Sequence, residues 1–321
     1  ENIFYLTEQL SIIPGARFEY IKTESIGVSR RVNFDAAGNP IGDQENNINE
    51  VKERSFALLG LGVSYKPTSL VEWYGNISQN YRSITFSDVN IVNPSNAVDQ
   101  ALNDENGFTV DIGARGNINN YISYDVGVFG LFYKDRIGFL FTAIPPINNL
   151  GQLRTNIGNA RILGLESVLD VNLKKVFQMG EQLSLNYFIN TSVINSKYTN
   201  AITNGVVGNK VEFVPDVNIK TGIRFGIENF SSSLQYTYLS DQFSDAENSF
   251  SGDVSGIIGV IPSYHVMDFS AAYSHKFIKV ETGINNVLNT NYFTRRATGY
   301  PGPGIIPSMP RNWYVTIQVK L

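Results

Sequence analysis

The chain has 321 residues, 25 Lys and Arg against 29 Asp and Glu, a formal net charge of −4 and no cysteine. That balance offers no basic stripe for a nucleic-acid backbone, and the absent thiols remove disulfides, thiolate metal sites and cysteine nucleophiles. With 17 Tyr, 20 Phe and 28 Gly the composition favours strands, and no apolar run approaches the ~18 residues of a spanning helix.

Taken in chain order, the pattern yields thirteen strands, at roughly 1–7, 11–25, 54–65, 70–81, 107–118, 121–134, 156–173, 183–197, 212–227, 230–241, 264–275, 277–287 and 310–321. Period two is the dominant signal. In the fourth strand Val71, Trp73 and Ile77 alternate with Glu72, Asn76 and Ser78, and the same greasy-wet alternation returns in 107–118 and 217–227.

The connectors sort into two kinds that alternate. Short ones include Asn119–Asn120, Glu228–Asn229 and His275–Lys276; long ones span 26–53, 82–106, 135–155, 198–211, 242–263 and 288–309 and are rich in Asn, Asp, Gly, Ser or Pro. Strands of about ten residues with short turns at one end and long loops at the other are the signature of an all-β transmembrane antiparallel β-barrel in an outer membrane. In hydrocarbon every backbone N–H and C=O needs a partner, so strands span only in a closed barrel, and single-chain bacterial barrels have even strand numbers. Thirteen is odd, so residues 1–321 are expected to be one domain, the C-terminal portion of a larger barrel.

Several stretches carry a family likeness. Gly283–Tyr292 (GINNVLNTNY) with Pro310–Leu321 (PRNWYVTIQVKL), Asn159–Glu166 (NARILGLE) and Pro14–Tyr20 (PGARFEY) resemble motifs of TonB-dependent outer-membrane receptors, and FTRRATGYPGPG (Phe293–Gly304) resembles the ferric-dicitrate branch. The resemblance implies 22 strands around an N-terminal plug, of which this chain would supply the last thirteen, with the plug outside it. It also implies capture of an iron chelate at extracellular loops and import powered by TonB through the plug. Outer-membrane lipid and the barrel assembly machinery would be further partners. Family members usually end on an aromatic residue, whereas this chain ends on Leu321.

Candidate chemistry is sparse. Arg295 and Arg296 sit in the last long loop, where guanidinium groups suit the exposed carboxylates of an iron–citrate complex. Gln152 with Arg154, and Arg30 with Arg31, lie in other long loops and join them as ligand-binding candidates. No cofactor is expected, iron entering only as part of a transported chelate. Asp241, Asp245, Glu247 and Asp253 lack the spacing of a calcium loop and read as a solvated acidic face, so no metal site is assigned.

His265 lies three residues from Asp268, leaving an outer-membrane hydrolase as a minor alternative, but an enzyme is not expected. A passive porin is the other alternative, because a mixed-charge lumenal face of Glu72, Asp111, Arg115, Glu166, Asp170, Lys220, Arg224 and Glu281 suits an open pore as well as a plugged one. Aromatic residues near strand ends, including Trp73, Tyr81 and Trp313, read as interfacial girdles.

Overall fold

Successive side chains of a strand leave the backbone on opposite sides, so a period-two sequence commits each face to a different surrounding. The computed structural model describes residues 2–34, 39–89, 96–144, 149–254, 256–297 and 304–320, and there the pattern builds one long sheet. Its first strands are β1 (Phe4–Tyr5), β2 (Leu10–Phe34), β3 (Pro40–Thr68), β4 (Val71–Arg82), β5 (Asn96–Val98), β6 (Glu105–Ile118), β7 (Ile122–Ile144), β8 (Asn149–Asn172) and β9 (Leu183–Ala201). There follow β10 (Val217–Ile227), β11 (Phe230–Leu239), β12 (Gln242–Phe243), β13 (Val260–Ile261), β14 (Tyr264–His275), β15 (Ile278–Asn285), β16 (Phe293–Ala297), β17 (Gly304–Pro307) and β18 (Asn312–Val319). Two single-turn helices, α1 (Phe86–Val89) and α2 (Leu173–Val176), complete the elements.

The sheet order is β1-β2-β3-β4-β6-β7-β8-β9-β10-β11-β14-β15-β18, every neighbour antiparallel and following in chain order, while β5 adds in parallel beside β8. These are the thirteen strands expected from the pattern. The small pairs β12–β13 and β16–β17 lie off the sheet, within long loops.

The strands run further than expected at the loop end. β2 and β3 pair from Leu10↔Tyr65 up to Phe34↔Pro40, and β7 and β8 pair up to Ile144↔Asn149. Thus much of 26–53 and 135–155, expected as loops, is hairpin. A ladder above the apolar band sits in water, where polar side chains are tolerated on both faces and no hydrophobic alternation marks the strand. At the opposite end the turns are tight, and Asn119 and Asn120 take left-handed φ values of 49° and 57°, a conformation asparagine adopts more readily than most residues.

Register places the eight expected lumenal residues on one face. Glu72, Arg115 and Asp125 share a row, as do Asp170 and Phe188. Across that face the Glu72 carboxylate accepts from Ser64 Oγ at 2.7 Å and Arg115 Nε at 3.0 Å, Tyr74 donates its hydroxyl to Asp125 at 2.7 Å, and Arg224 pairs with Asp170. Glycines opposite aromatics let rings lie flat on the backbone: a Cβ on Gly113 would meet the Tyr74 hydroxyl at 2.4 Å, and one on Gly283 would meet the Tyr314 ring at 2.4 Å.

The other face is apolar in rows, such as Ile112–Val128–Leu165–Val193. On β7 this outward stripe runs from Ile122 to Phe132 and gives way to Lys134, which matches the roughly nine to eleven residues of a membrane-crossing strand. Trp73 and Trp313 stand outward on this face, 56% and 77% exposed. Tyr81 does not join them; its hydroxyl donates to Asp104 and its ring packs on Phe56 with centroids 3.8 Å apart.

A packed core exists at the loop end. Leu140, Ile157, Ala160, Ile162, Tyr198, Val206, Val211 and Ala246 form one buried cluster, and Ile84, Leu102 and Ile137 another, so the described parts of the segments 83–104, 202–216 and 240–259 fold onto the upper strands.

Candidate functional site

The upper ends of β4, β6, β7 and β8 meet the segment before β10, the 240–259 segment and β16 around a cavity of about 800 Å³. Five arginines line it, Arg82, Arg136, Arg154, Arg295 and Arg296, against the acids Glu105, Glu212 and Asp245. Each arginine has a different fate.

Arg82 ends β4 and Arg154 lies on β8, and both reach Asp88 of α1: Arg82 Nη2 at 2.8 Å and Arg154 Nη2 at 2.5 Å. Arg82 also donates to Glu105 at 3.0 Å, and the guanidinium of Arg154 lies over Phe139, 4.6 Å from its centroid. Asp88 is only 2% exposed. Burial disfavours its charged form, but hydrogen bonds from the Thr85 backbone and hydroxyl and from both arginines outweigh that and bring the carboxyl down to about 2. The cluster fastens the 83–104 segment to the strand tops, as does β5, whose Ala97 and Val98 stand in register with Leu153 and Arg154.

A second clasp holds the 202–216 segment. Tyr198 on β9 donates its hydroxyl to Glu212 at 2.6 Å, and Arg136 on β7 approaches the same carboxylate at 3.5 Å. Burial and the Glu212 charge push the Tyr198 hydroxyl well above its ordinary value, so it stays a donor. Arg136 remains a cation: burial opposes its charge, and the carboxylate beside it prevails.

Arg296 is a tether. Its Nη1 donates to the Gly256 carbonyl at 2.8 Å and its Nη2 to the Val260 carbonyl at 2.8 Å, binding β16 to the 240–263 segment. Arg295, next to it, is exposed at the cavity and forms no ion pair or hydrogen bond among the described residues. Gln152 is buried at the wall with its Oε1 unpartnered among the described residues, and Arg136 Nε, Arg154 Nε and Asp245 Oδ2 are buried without a partner there too. A polar ligand entering the cavity would find one free guanidinium and several unsatisfied groups already withdrawn from water.

Four expected ligand residues, Gln152, Arg154, Arg295 and Arg296, therefore lie around one cavity. Gln152 and Arg154 lie on β8 and Arg295 and Arg296 on β16, so none stands in irregular loop. Arg30 and Arg31 also fall in a strand, β2, opposite Glu45 and Gln44; their side chains lie outside the described residues, as do 298–303 of the Gly-Pro run and Leu321.

Arg82, Arg136, Glu105 and Glu212 escaped the sequence reading. Their one visible signal is charge at the point where a strand's alternation stops. The acidic segment also reads differently in three dimensions: Asp245 is buried and accepts from Ser249 N and Oγ, and Glu247 accepts from the Phe141 amide at 3.3 Å. His265 and Asp268 leave β14 on opposite faces of the sheet, and Asp268 accepts from the Asn286 amide at 2.8 Å. They cannot act together.

The penultimate-strand motif has a mechanical role. Asn286, 2% exposed with φ of 53°, ends β15 by trading hydrogen bonds with Thr290, giving to its carbonyl at 2.9 Å and taking from its amide at 2.8 Å.

A family model described as TonB dependent receptor-like, beta-barrel, matches residues 1–287. The chain belongs to that family, which consists of bacterial outer-membrane receptors and not enzymes. Its fold is similar to that of the ferric citrate transporter FecA in the unliganded form, with a TM-score of 0.72 at 19% identity over 97% of this chain and 42% of that one. The ferric yersiniabactin uptake receptor FyuA from Yersinia pestis gives 0.71 at 17% identity over 99% and 44%, and the copper transporter OprC gives 0.72 at 12% identity over 99% and 48%. This chain spans less than half the length of each. The cavity lies beyond the apolar band of the outer face, at the long-loop end.

Proposed function

We propose that this chain forms the loop-end cavity of an active-transport receptor that captures an anionic iron chelate and imports it with TonB-coupled energy, ferric dicitrate being the ligand. The observation that carries the reading is Arg295: an exposed guanidinium without a partner among the described residues, on a cavity whose other arginines are held by Asp88, Glu105, Glu212 or backbone carbonyls. The paired arginines shape and charge the wall, and Arg295 is left to grip a carboxylate with two parallel hydrogen bonds. The similarity to the ferric citrate transporter and the FTRRATGYPGPG stretch support citrate as the chelator.

Calorimetric titration of ferric dicitrate into the receptor purified from outer membranes tests both parts. Saturable binding is expected, weakened about tenfold or more by Arg295→Ala. No binding of ferric dicitrate would remove the substrate, and equal affinity in the variant would remove the role of Arg295.

A further inference from the structure

The outward face of β6–β9 carries a feature that ligand capture does not use. An open groove of about 900 Å³ is lined there by Phe108, Val110, Ile112, Val128, Leu163 and Leu165, with Gly130 at its floor. The glycine makes the groove: a Cβ at position 130 would come within 2.9 Å of the Phe132 ring and 3.1 Å of Leu163. Phe108 and Phe132 stack beside it, centroids 4.5 Å apart.

One row toward the loops the chemistry changes abruptly. Phe108, Phe132, Arg161 and Lys197 are cross-strand partners in a single row, directly above the row Val110–Gly130–Leu163–Asn195. Lys134 is the next outward residue on β7. Arg161 and Lys197 face each other as like charges, an arrangement that by itself destabilises a sheet. Among the described residues neither Arg161, Lys197 nor Lys134 has an ion-pair partner, and Arg161 Nε is buried without a hydrogen bond. Asp216 lines the groove as well, and its carboxylate is engaged by Lys210, also on the lining.

We propose that this surface is a binding site for a phosphorylated lipid of the outer leaflet, its acyl chain lying in the groove over Gly130 and its phosphate bridging Arg161 and Lys197. An anion between the two cations turns their repulsion into attraction and supplies the missing acceptor for Arg161. The height is right, because the row stands where the apolar stripe of β7 ends and a headgroup would lie. Apolar groove and cationic row adjoin in the order in which a lipid presents chain and phosphate.

The test is lipid retention by the receptor in mild detergent, read by native mass spectrometry with a diphosphoryl glycolipid as probe, alongside its dephosphorylated form and inorganic phosphate. One lipid held per receptor is expected. The double variant R161Q/K197Q should weaken retention about tenfold or more, because two charge-assisted contacts are lost. The dephosphorylated lipid should bind the native receptor no better than the variant, and millimolar inorganic phosphate should not compete. Gly130→Val, which fills the groove and keeps the cations, should lower retention as well. Equal retention by R161Q/K197Q, or displacement by inorganic phosphate alone, would overturn the proposal.

Discussion

The membrane-crossing wall and the loop end of this molecule are held together by different physics. In the wall the backbone ladder joins each strand to its neighbours and side chains divide by face, outward apolar rows such as Ile112–Val128–Leu165–Val193 against an inward face of Glu72, Arg115, Asp125 and Arg224. At the loop end the side chains form a packed interior, with Ile157, Val206 and Val211 fully buried and arginines clasped by Asp88 and Glu212. The wall depends on its surroundings for stability, whereas the loop end carries its own core. The cavity sits where the two meet, which is why Arg82, Arg136 and Arg154 reach it from wall strands while Arg295, Arg296, Glu212 and Asp245 come from the segments above.

That contrast can be broken in several places. The largest effect is expected from Asp88→Ala, which leaves Arg82 and Arg154 without their shared carboxylate: about 3–5 kcal/mol of local stability lost, seen as faster amide exchange across 83–104 with the wall unchanged. Exchange spreading evenly into the wall would show that the two regions are one cooperative unit. Leu165→Arg puts a charge in the middle of the apolar band and should cost about 2–4 kcal/mol, read as a lower urea midpoint in bilayers. An unaltered midpoint would remove lipid from that face.

A smaller effect belongs to Tyr198→Phe. It deletes the 2.6 Å hydrogen bond to Glu212 inside the upper core, and about 1–3 kcal/mol should be lost, with exchange rising in 202–216. The subtlest test is acid. The Asp88 carboxyl falls from an ordinary 3.8 to about 2 in the folded state, so its stabilising contribution is complete above about pH 4 and is lost as pH falls through 2. Protection factors across 83–104, corrected for the intrinsic pH dependence of amide exchange, should fall between pH 5 and pH 2.5 in the native protein and change less in Asp88→Asn; an identical fall in that variant would free Asp88 of the effect.

The wall was legible in the sequence because a membrane strand must alternate, and Val71–Tyr81 or Val217–Ile227 states its faces outright. The upper hairpins were not. Once Ile26 and its neighbours leave the band, polar residues suit both faces and a strand looks like a loop, so Arg30, Arg154 and their companions were expected in loops and lie in ladders. Composition could pick out Arg295 and Arg296 as cations at the loop end, but it could not tell them apart.

By itself the sequence determined an antiparallel membrane wall of thirteen strands, its two faces and its long-loop end, because hydrogen-bond satisfaction in lipid leaves one arrangement for such a pattern. Only the tertiary structure decided which charges remain free. Asp88, Glu212 and the carbonyls of Gly256 and Val260 reach their arginines across segments far apart in the chain, and the lack of such partners among the described residues around Arg295, and around Arg161 with Lys197, is a matter of packing that no local pattern records.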